Sequence, residues 1–390
     1  MLRRSFFVSL WFSFLTFPIM VIRVNTIEKT VNWRFGNLLL VAVGSFILSL
    51  LWQYLFARRE KMTKNNSAKY RAILSRFFSG KIRFVVGFAV LLFPFLLSTY
   101  HINVLTTALI YVVLGLGLNI IVGLTGLLNL GYVAFYAVGA YLYALLNHHF
   151  GFTFWICLPL GGLVSACFGL LLALPVMRLR GDYLAIVTLG FGEMTRLVLE
   201  NWSDLTYGPS GISGIAPPTF LGITFGIRGT MIYLYFLMVA FCLLAIFLVR
   251  RLRDSRIGRA WVAIREDEEA SRAMGINTSK AKSIAMMIGA AWAGMMGVVF
   301  AAKTTFVNPA SFSFLESAMV LSIVVLGGIG SIGGIIIAAF AVILLPEYLR
   351  FLSDYRMLAF GCAMVVMMIF RPQGILPYHR RTYEFKEVHR

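Results

Sequence analysis

Three ionisable residues in one apolar stretch, Glu193, Arg196 and Glu200, are the clearest candidates for chemistry in this sequence. Their spacings of three and four residues place all three on one face of a helix. Charged groups at membrane depth are costly, so they face a pathway or pair with one another. Two interpretations follow: a polar stripe that lines a pathway, or an ion pair that holds this helix to a neighbour.

Two glycine-rich polar stretches, residues 123–131 and 327–334, interrupt the apolar sequence. The second contains Gly328, Gly330 and Gly333 in G-x-G-x-x-G spacing, which binds a dinucleotide when it follows a strand in a soluble βαβ unit. No strand pattern precedes it here. A tight turn between helices, close helix packing through small residues, or a break that lines a pore fits this segment better.

The first glycine-rich stretch includes Gly126, Asn129 and Gly131, and each stretch is followed by an apolar helix rich in small residues. This similarity is a weak internal repeat. Paired glycine-interrupted segments in two halves of a membrane protein indicate a transport path, because freed backbone groups survive only against protein or a water-filled cavity. The glycines and Asn129 are therefore candidates for a translocation path or gate.

The most informative polar stretch is residues 250–282, in which Arg256–Gly275 predicts a short helix that ends at glycine. Three glutamates lie near its start and Arg272 lies near its end, which suits the helix dipole. Such a helix is either a solvated connector or a docking element for a cytosolic protein.

Sequence signatures of catalysis are missing. The chain contains no phosphate-binding loop, no G-x-S-x-G elbow and no H-E-x-x-H metal site. Four cysteines fall inside apolar blocks without Cys/His clustering, so they predict small buried side chains and neither disulfides nor metal ligands: Cys157, Cys167, Cys242 and Cys362. The sequence therefore predicts no enzyme, no metal and no cofactor, and any ATP is hydrolysed elsewhere.

The elements that must position these residues are long apolar helices. Hydrophobic residues make up 59% of the 390 and charged residues 13%, too few to cover a soluble surface. We predict an all-α polytopic membrane bundle of about 10–12 segments with glycine-broken helices. The apolar segments lie near residues 6–24, 36–57, 84–99, 103–122, 131–147, 154–177, 182–201, 229–250, 281–302, 314–327, 334–350 and 354–370.

The net charge of +19 follows the predicted topology. With the N-terminus in the cytoplasm, 27 of the 35 Lys and Arg residues fall on the inner side, which is a strong positive-inside signal. Both termini are then predicted to be cytoplasmic. The basic linker 58–83 suits anionic lipid heads, and nucleic-acid binding is not expected because no recognition motif accompanies the charge.

Six motifs in order resemble the M-type (LivM-like) permease subunit of the branched-chain amino acid ABC importer. The resemblance runs over about residues 103–376, which is most of the chain. The matching stretches are Gly123–Tyr143, Arg180–Arg196, Gly208–Ile215, Gly258–Asn277, Val325–Gly334 and Arg371–Leu376.

The resemblance implies a heterodimer with an H-type permease, two cytosolic ATP-binding subunits and a periplasmic or extracellular binding protein for leucine, isoleucine or valine. It places the chain in the bacterial plasma (inner) membrane. Residues Glu266–Gly275 resemble the family's coupling helix, with Glu269, Ala270 and Gly275 at the motif positions and Ser271 where alanine is usual. The implied ATPase-docking residues are Arg265, Glu266, Glu268, Glu269, Ala270 and Gly275.

The predicted domains are a two-helix extension with its basic linker (1–83), a permease core (84–376, coupling loop 251–282) and a cytoplasmic tail (377–390). Two alternatives stay open at this point. One is the same type of permease for urea or short amides. The other is an ion-coupled secondary transporter, for which the polar triad in 182–201 is the sequence support.

Overall fold

The structure is a computed structural model of the 390-residue chain. It divides into two compact units, Met1–Val90 and Leu91–Arg390, and each is described by itself. The residues described are 22–25, 30–33, 36, 94–177, 179, 181–219, 226–348, 361, 365 and 374–376.

In the first unit, an antiparallel hairpin joins β1 (Ile22–Asn25) to β2 (Thr30–Trp33), with Ile22 opposite Trp33. The predicted helix 6–24 was therefore wrong at its last three residues. The local sequence explains this, because β-branched residues alternate with polar ones at the strand period of two. The rest of that segment, and nearly all of segment 36–57, lie outside the described residues.

The second unit is built from helices whose ends lie close to the predicted ones. Helix α1 (Thr99–Leu118) continues directly into a π-helix at Asn119–Leu124. The others are α2 (Tyr132–Phe150), α3 (Phe154–Val176), α4 (Asp182–Asn201), α5 (Ser203–Thr206), α6 (Ile227–Asp254), α7 (Arg256–Glu266), α8 (Glu268–Ala273), α9 (Thr278–Thr304), α10 (Phe314–Gly327) and α11 (Ile332–Tyr348).

Five helical spans among the described residues are long and apolar enough to cross a membrane: Thr99–Leu124, Phe154–Val176, Ile227–Asp254, Thr278–Thr304 and Pro309–Gly327. A shorter apolar helix covers Ile332–Glu347. The all-α membrane bundle is thus confirmed. Most of segments 84–99 and 354–370 lies outside the described residues.

A two-stranded sheet links the loop after α4 to the end of α9. Strand β3 (Ile212–Ser213) pairs antiparallel with β4 (Phe306–Val307). Gly211, with φ +69°, makes the close approach possible, since a Cβ there would lie 2.3 Å from the carbonyl oxygen of Val307.

Helix α9 lies in the centre of the second unit and packs closely on α2 and α3 through glycine. A Cβ on Gly294 would lie 2.4 Å from the carbonyl oxygen of Gly161 in α3. A Cβ on Gly139 in α2 would lie 2.0 Å from the carbonyl oxygen of Gly294. In hydrocarbon, helices associate mainly by packing, so small residues at a crossing let the backbones approach.

Replacing Gly294 with alanine is expected to lower stability, at the upper end of the about 1–3 kcal/mol that overpacking usually costs. The reason is that the new methyl group would meet backbone atoms that cannot rotate away. The apparent melting temperature of the detergent-purified protein measures this. Gly190→Ala in α4 is the matched control because nothing lies within 4 Å of its Cβ position. Equal melting temperatures for the two variants would contradict the packing role.

Two of the cysteine predictions are confirmed: Cys157 and Cys242 are buried free thiols. Cys167 is exposed, so the prediction of burial was wrong there. An apolar helix in a membrane protein has faces outside the bundle, and apolar composition alone does not distinguish them from the buried face. Cys362 lies outside the described residues.

Candidate functional site

The polar loop 250–282 forms two helices, so the single helix predicted over Arg256–Gly275 was wrong. Helix α7 ends at Glu266 and α8 starts at Glu268, with Asp267 between them in extended conformation (φ −155°, ψ 113°). The Asp267 carboxylate accepts from the backbone N–H of Glu269 at 2.9 Å and of Ala270 at 3.0 Å. A short polar side chain that caps a helix in this way competes with helix continuation.

Helix α8 ends in a Schellman motif at Gly275, which has φ +84°. The Gly275 N–H donates to the carbonyl of Arg272 at 3.0 Å, and the Ile276 N–H donates to that of Ser271 at 3.1 Å. Because side chains rarely adopt this φ, glycine is the residue that lets the chain turn here. The prediction that a glycine ends this helix therefore holds at Gly275.

Helix α8 has an inner and an outer face. Ser271 is buried and its hydroxyl donates to the carbonyl of Asp267 at 2.7 Å, which explains why a small residue stands at this position. Glu268 pairs with Lys282 at 2.7 Å, so this docking candidate anchors α8 to α9. On the outer face Glu269 and Ala270 are exposed.

The outer face continues onto the turn after α8, where Met274 is 83% exposed. An exposed methionine next to a small residue and a carboxylate is a surface on which another protein could pack. Glu266 is also exposed, at the end of α7. Among the docking candidates, Glu268 thus differs from the exposed Glu266 and Glu269 in being half-buried and paired with Lys282 of α9.

Arg265 connects this loop to the first glycine-rich stretch. Its Nη1 donates to the carbonyl oxygen of Gly123 at 2.7 Å, and its Nη2 contacts Glu266 at 3.1 Å. Gly123 lies in the last turn of the π-helix. No further turn of that helix follows to donate a backbone N–H to its carbonyl oxygen. Gly126, with φ +73°, packs on the same side chain, since a Cβ there would lie 2.7 Å from Arg265 Cγ.

The two glycine-rich stretches, which are far apart in sequence, meet in space. The Gly330 N–H donates to Asn119 Oδ1 at 2.9 Å. A Cβ on Gly123 would lie 2.9 Å from the nitrogen of Gly330 and 2.0 Å from Asn119 Oδ1. These contacts form one contiguous cluster, which we call the glycine junction: Asn119, Gly123, Gly126, Arg265 and Gly330.

Asn119 was missed by the sequence reasoning, although an amide near the end of apolar segment 103–122 was a signal. It is fully buried, and its Nδ2 has no hydrogen-bond acceptor among the described residues. Buried amides usually satisfy both ends. Its Oδ1 instead accepts from the second glycine stretch and holds that stretch to the π-helix. π-Helices are rare, and those that occur are often found at functional sites.

A match to a known family decides what kind of protein carries this junction. The family model for the permease component of branched-chain amino acid transport systems matches residues 100–370. The chain belongs to this permease family. The resemblance inferred from the six motifs is thus confirmed.

Among the permease's relatives, the high-affinity branched-chain amino acid transport system permease protein LivM of Salmonella typhimurium is 48% identical over 314 residues, 75% of this chain and 74% of that protein. LivM of Escherichia coli is 47% identical over 313 residues, with the same coverage. LivH of Escherichia coli is 25% identical over 293 residues, 70% of this chain and 93% of that protein. No solved structure gives a significant match.

Of the other candidates of the first glycine stretch in this permease, Gly131 packs on α4, and Asn129 contacts α9 through its Nδ2, 3.7 Å from Met286 Sδ. Asn129 Oδ1 accepts from the Gly131 N–H at 3.0 Å, and the Leu130 N–H donates to Thr188 Oγ1 at 3.1 Å. A Cβ on Gly131 would lie 1.9 Å from the carbonyl oxygen of Thr188. Asn129 and Gly131 are thus closely packed against neighbouring elements. Their direct role in the translocation path stays a prediction.

The second glycine stretch is a tight turn between α10 and α11, in which Gly328 has φ +104° and Gly330 has φ +85°. The short segment 374–376 covers it: the Ile375 N–H donates to the carbonyl of Leu326 at 2.8 Å. Gly333 is less crowded, since its Cβ position lies 3.6 Å from Leu376. A helix, and no strand, precedes the G-x-G-x-x-G motif.

The polar triad of α4 pairs within its own helix. Arg196 Nε lies 2.9 Å from Glu193 Oε2, and Nη1 lies 2.8 Å from Glu200 Oε2. Among the described residues these two ion pairs lie within α4 itself, whereas the ion-pair interpretation predicted a link to a neighbouring helix. Glu193 also lines a small cleft with Leu130 and Ser317, and its role in a pathway stays a prediction.

Proposed function

We propose that this chain is one membrane subunit of an ATP-driven importer of leucine, isoleucine and valine. The observation that carries the proposal is the family match, together with relatives whose names specify high-affinity branched-chain amino acid transport. In this proposal the chain forms half of the translocation path in a bacterial plasma membrane with both termini cytoplasmic. An H-type permease supplies the other half, and a periplasmic or extracellular binding protein delivers the substrate.

Two cytosolic ATPases would bind and hydrolyse the ATP, and the outer face of α8 would dock one of them. The exposed Glu269, Ala270 and Met274 support this role, as does the rigid frame made by the Asp267 cap and Gly275. Movement of a docked α7–α8 segment would pass through Arg265 to Gly123 at the glycine junction. The path and gate candidates Gly126, Asn129, Gly131, Gly328, Gly330 and Gly333 lie in the stretches that form or flank this junction.

Reconstitution of the chain with an H-type permease, both ATPases and the binding protein is expected to give ATP-dependent leucine uptake. Radiolabelled leucine accumulated in proteoliposomes measures it, with isoleucine and valine as competitors. The chain without ATPases is expected to accumulate none, because uptake needs the energy of hydrolysis.

Two outcomes would contradict the proposal. Leucine uptake by this chain alone, driven by an imposed ion gradient, would establish the secondary-transporter alternative. Competition by excess urea or a short amide, with none by isoleucine or valine, would establish the other substrate class. A mutant ATPase that binds but does not hydrolyse ATP provides the matched control.

A further inference from the structure

Two opposite charges lie on one face of α1 without pairing with each other. Near the end of α9, the Lys303 Nζ donates to Thr107 Oγ1. In the first turn of α10, the Glu316 Oε2 accepts from the Tyr111 hydroxyl. Thr107 and Tyr111 are four residues apart on α1, so the two charges are held about one helical turn apart, roughly 6 Å along the axis.

Neither charge has an oppositely charged side chain within 4.0 Å among the described residues. Both side chains are partly buried, so they are neither fully solvated nor fully enclosed. Charges inside a membrane protein are costly and usually pair or mark a substrate pathway. A lysine and a glutamate one turn apart could relieve that cost by pairing, yet separate hydroxyl groups hold them apart.

An aromatic wall lies beside the two charges. The rings of Tyr136, Phe300 and Phe312 contact one another, with centroid distances of 5.3, 5.4 and 5.8 Å. Phe300 comes one turn before Lys303 on α9, and Phe312 comes four residues before Glu316. Tyr136 also lies within electrostatic range of Glu316. The wall is therefore carried by α9, which also holds the ammonium, and by the turn before α10, which holds the carboxylate.

This combination matches the chemistry of a free amino acid with an apolar side chain. Such a molecule carries an ammonium and a carboxylate on one carbon. With one charge-assisted hydrogen bond of about 2.8 Å at each end, it would span the separation between Lys303 and Glu316. Urea and amides are uncharged and would leave both charges without a partner of opposite charge, which a partly desolvated site penalises.

We propose that Lys303 and Glu316, held apart by Thr107 and Tyr111, form a recognition site for a zwitterionic amino acid. Lys303 binds the substrate carboxylate, Glu316 binds its ammonium, and the aromatic wall takes the aliphatic side chain. This inference rests on the proposed import function. It adds a position within this subunit at which the substrate is selected.

The test uses the complete reconstituted importer with Lys303→Met and Glu316→Gln. Each variant is expected to lower the maximal rate of leucine uptake by about tenfold or more, as expected for loss of one charge-assisted hydrogen bond. The external leucine concentration for half-maximal uptake is expected to stay the same, because the binding protein captures substrate from solution. Lys303→Arg keeps the positive charge and is expected to stay within about threefold of the wild-type rate.

Matched controls remove exposed charges elsewhere in the chain: Arg228→Met at the start of α6 and Asp204→Asn in α5. Both are expected to transport at the wild-type rate. Glu316→Gln keeps the shape of the side chain and an acceptor for Tyr111, so it carries the test if Lys303→Met does not assemble. Failure of both variants to assemble with the ATPases would assign the charges a structural role and overturn the proposal.

Wild-type leucine uptake in Glu316→Gln or Lys303→Met would also overturn the site while leaving the import function standing. The proposed function fails separately, if the wild-type importer itself gives no ATP-dependent leucine uptake. A lower rate in Lys303→Arg equal to that in Lys303→Met would show that shape rather than charge matters at this position, and would likewise overturn zwitterion recognition.

Discussion

Replacing Arg265 with glutamine is expected to lower the amount of leucine transported per ATP hydrolysed by about tenfold, the effect of losing a hydrogen bond from a charged donor. Arg265 joins the α7–α8 segment to the π-helix through the Gly123 carbonyl at 2.7 Å. Without this bond, a docked ATPase would move α7 and α8 without moving the glycine junction. Simultaneous measurement of leucine uptake and phosphate release in proteoliposomes gives the ratio directly.

Arg259→Gln on the same helix is the matched control. Arg259 donates to the carbonyl of Asp254 at 3.0 Å, so its hydrogen bond stays close to its own helix and does not reach the junction. The ATPases are expected to co-purify with both variants, because the outer face of α8 is unchanged. An unchanged uptake-to-ATP ratio in Arg265→Gln, or an equal decrease in both variants, would rule out transmission through this contact.

Replacing Gly123 with alanine is expected to reduce leucine uptake by at least about tenfold, since overpacking at a rigid contact costs about 1–3 kcal/mol. The methyl would meet Asn119 Oδ1 at 2.0 Å and the Gly330 nitrogen at 2.9 Å. It would therefore separate the π-helix from the second glycine stretch. Uptake per assembled importer, with assembly measured by ATPase co-purification, reports the effect.

Gly333→Ala is the control because its Cβ position lies 3.6 Å from Leu376, which is ordinary contact. It belongs to the second glycine stretch but not to the meeting point of the two stretches. We expect it to lower uptake less than Gly123→Ala does. Equal uptake by both alanine variants would show that the junction does not need close contact to work.

Helix positions followed closely from the sequence. Segment 314–327 was predicted to the residue, and segment 182–201 likewise matches α4. Such accuracy has a physical cause, because hydrocarbon forces every backbone group to pair within its own helix and so ties helix length to apolar length. The same rule does not apply in the polar loop. There Asp267 offered the backbone an alternative partner and divided the predicted helix into α7 and α8.

The site was predictable in part. The glycine stretches and the docking loop were visible as composition and motif, and their roles in gating and docking stay predictions. That Arg265 reaches Gly123 was not visible, because hydrogen bonds between distant segments depend on how the helices cross. Asn119, Lys303 and Glu316 were overlooked for the same reason: each is a single polar residue whose meaning comes from partners elsewhere in the chain.

The sequence by itself determined that this protein is an all-helical membrane permease, because apolar length, charge bias and ordered motifs are properties of neighbouring residues along the chain. The tertiary structure alone decided which polar groups meet. It brought Asn119 to Gly330, joined Arg265 to Gly123, and held Lys303 and Glu316 apart against one face of α1. Close packing at glycine sets these distances, and no local pattern encodes a crossing between helices far apart in sequence.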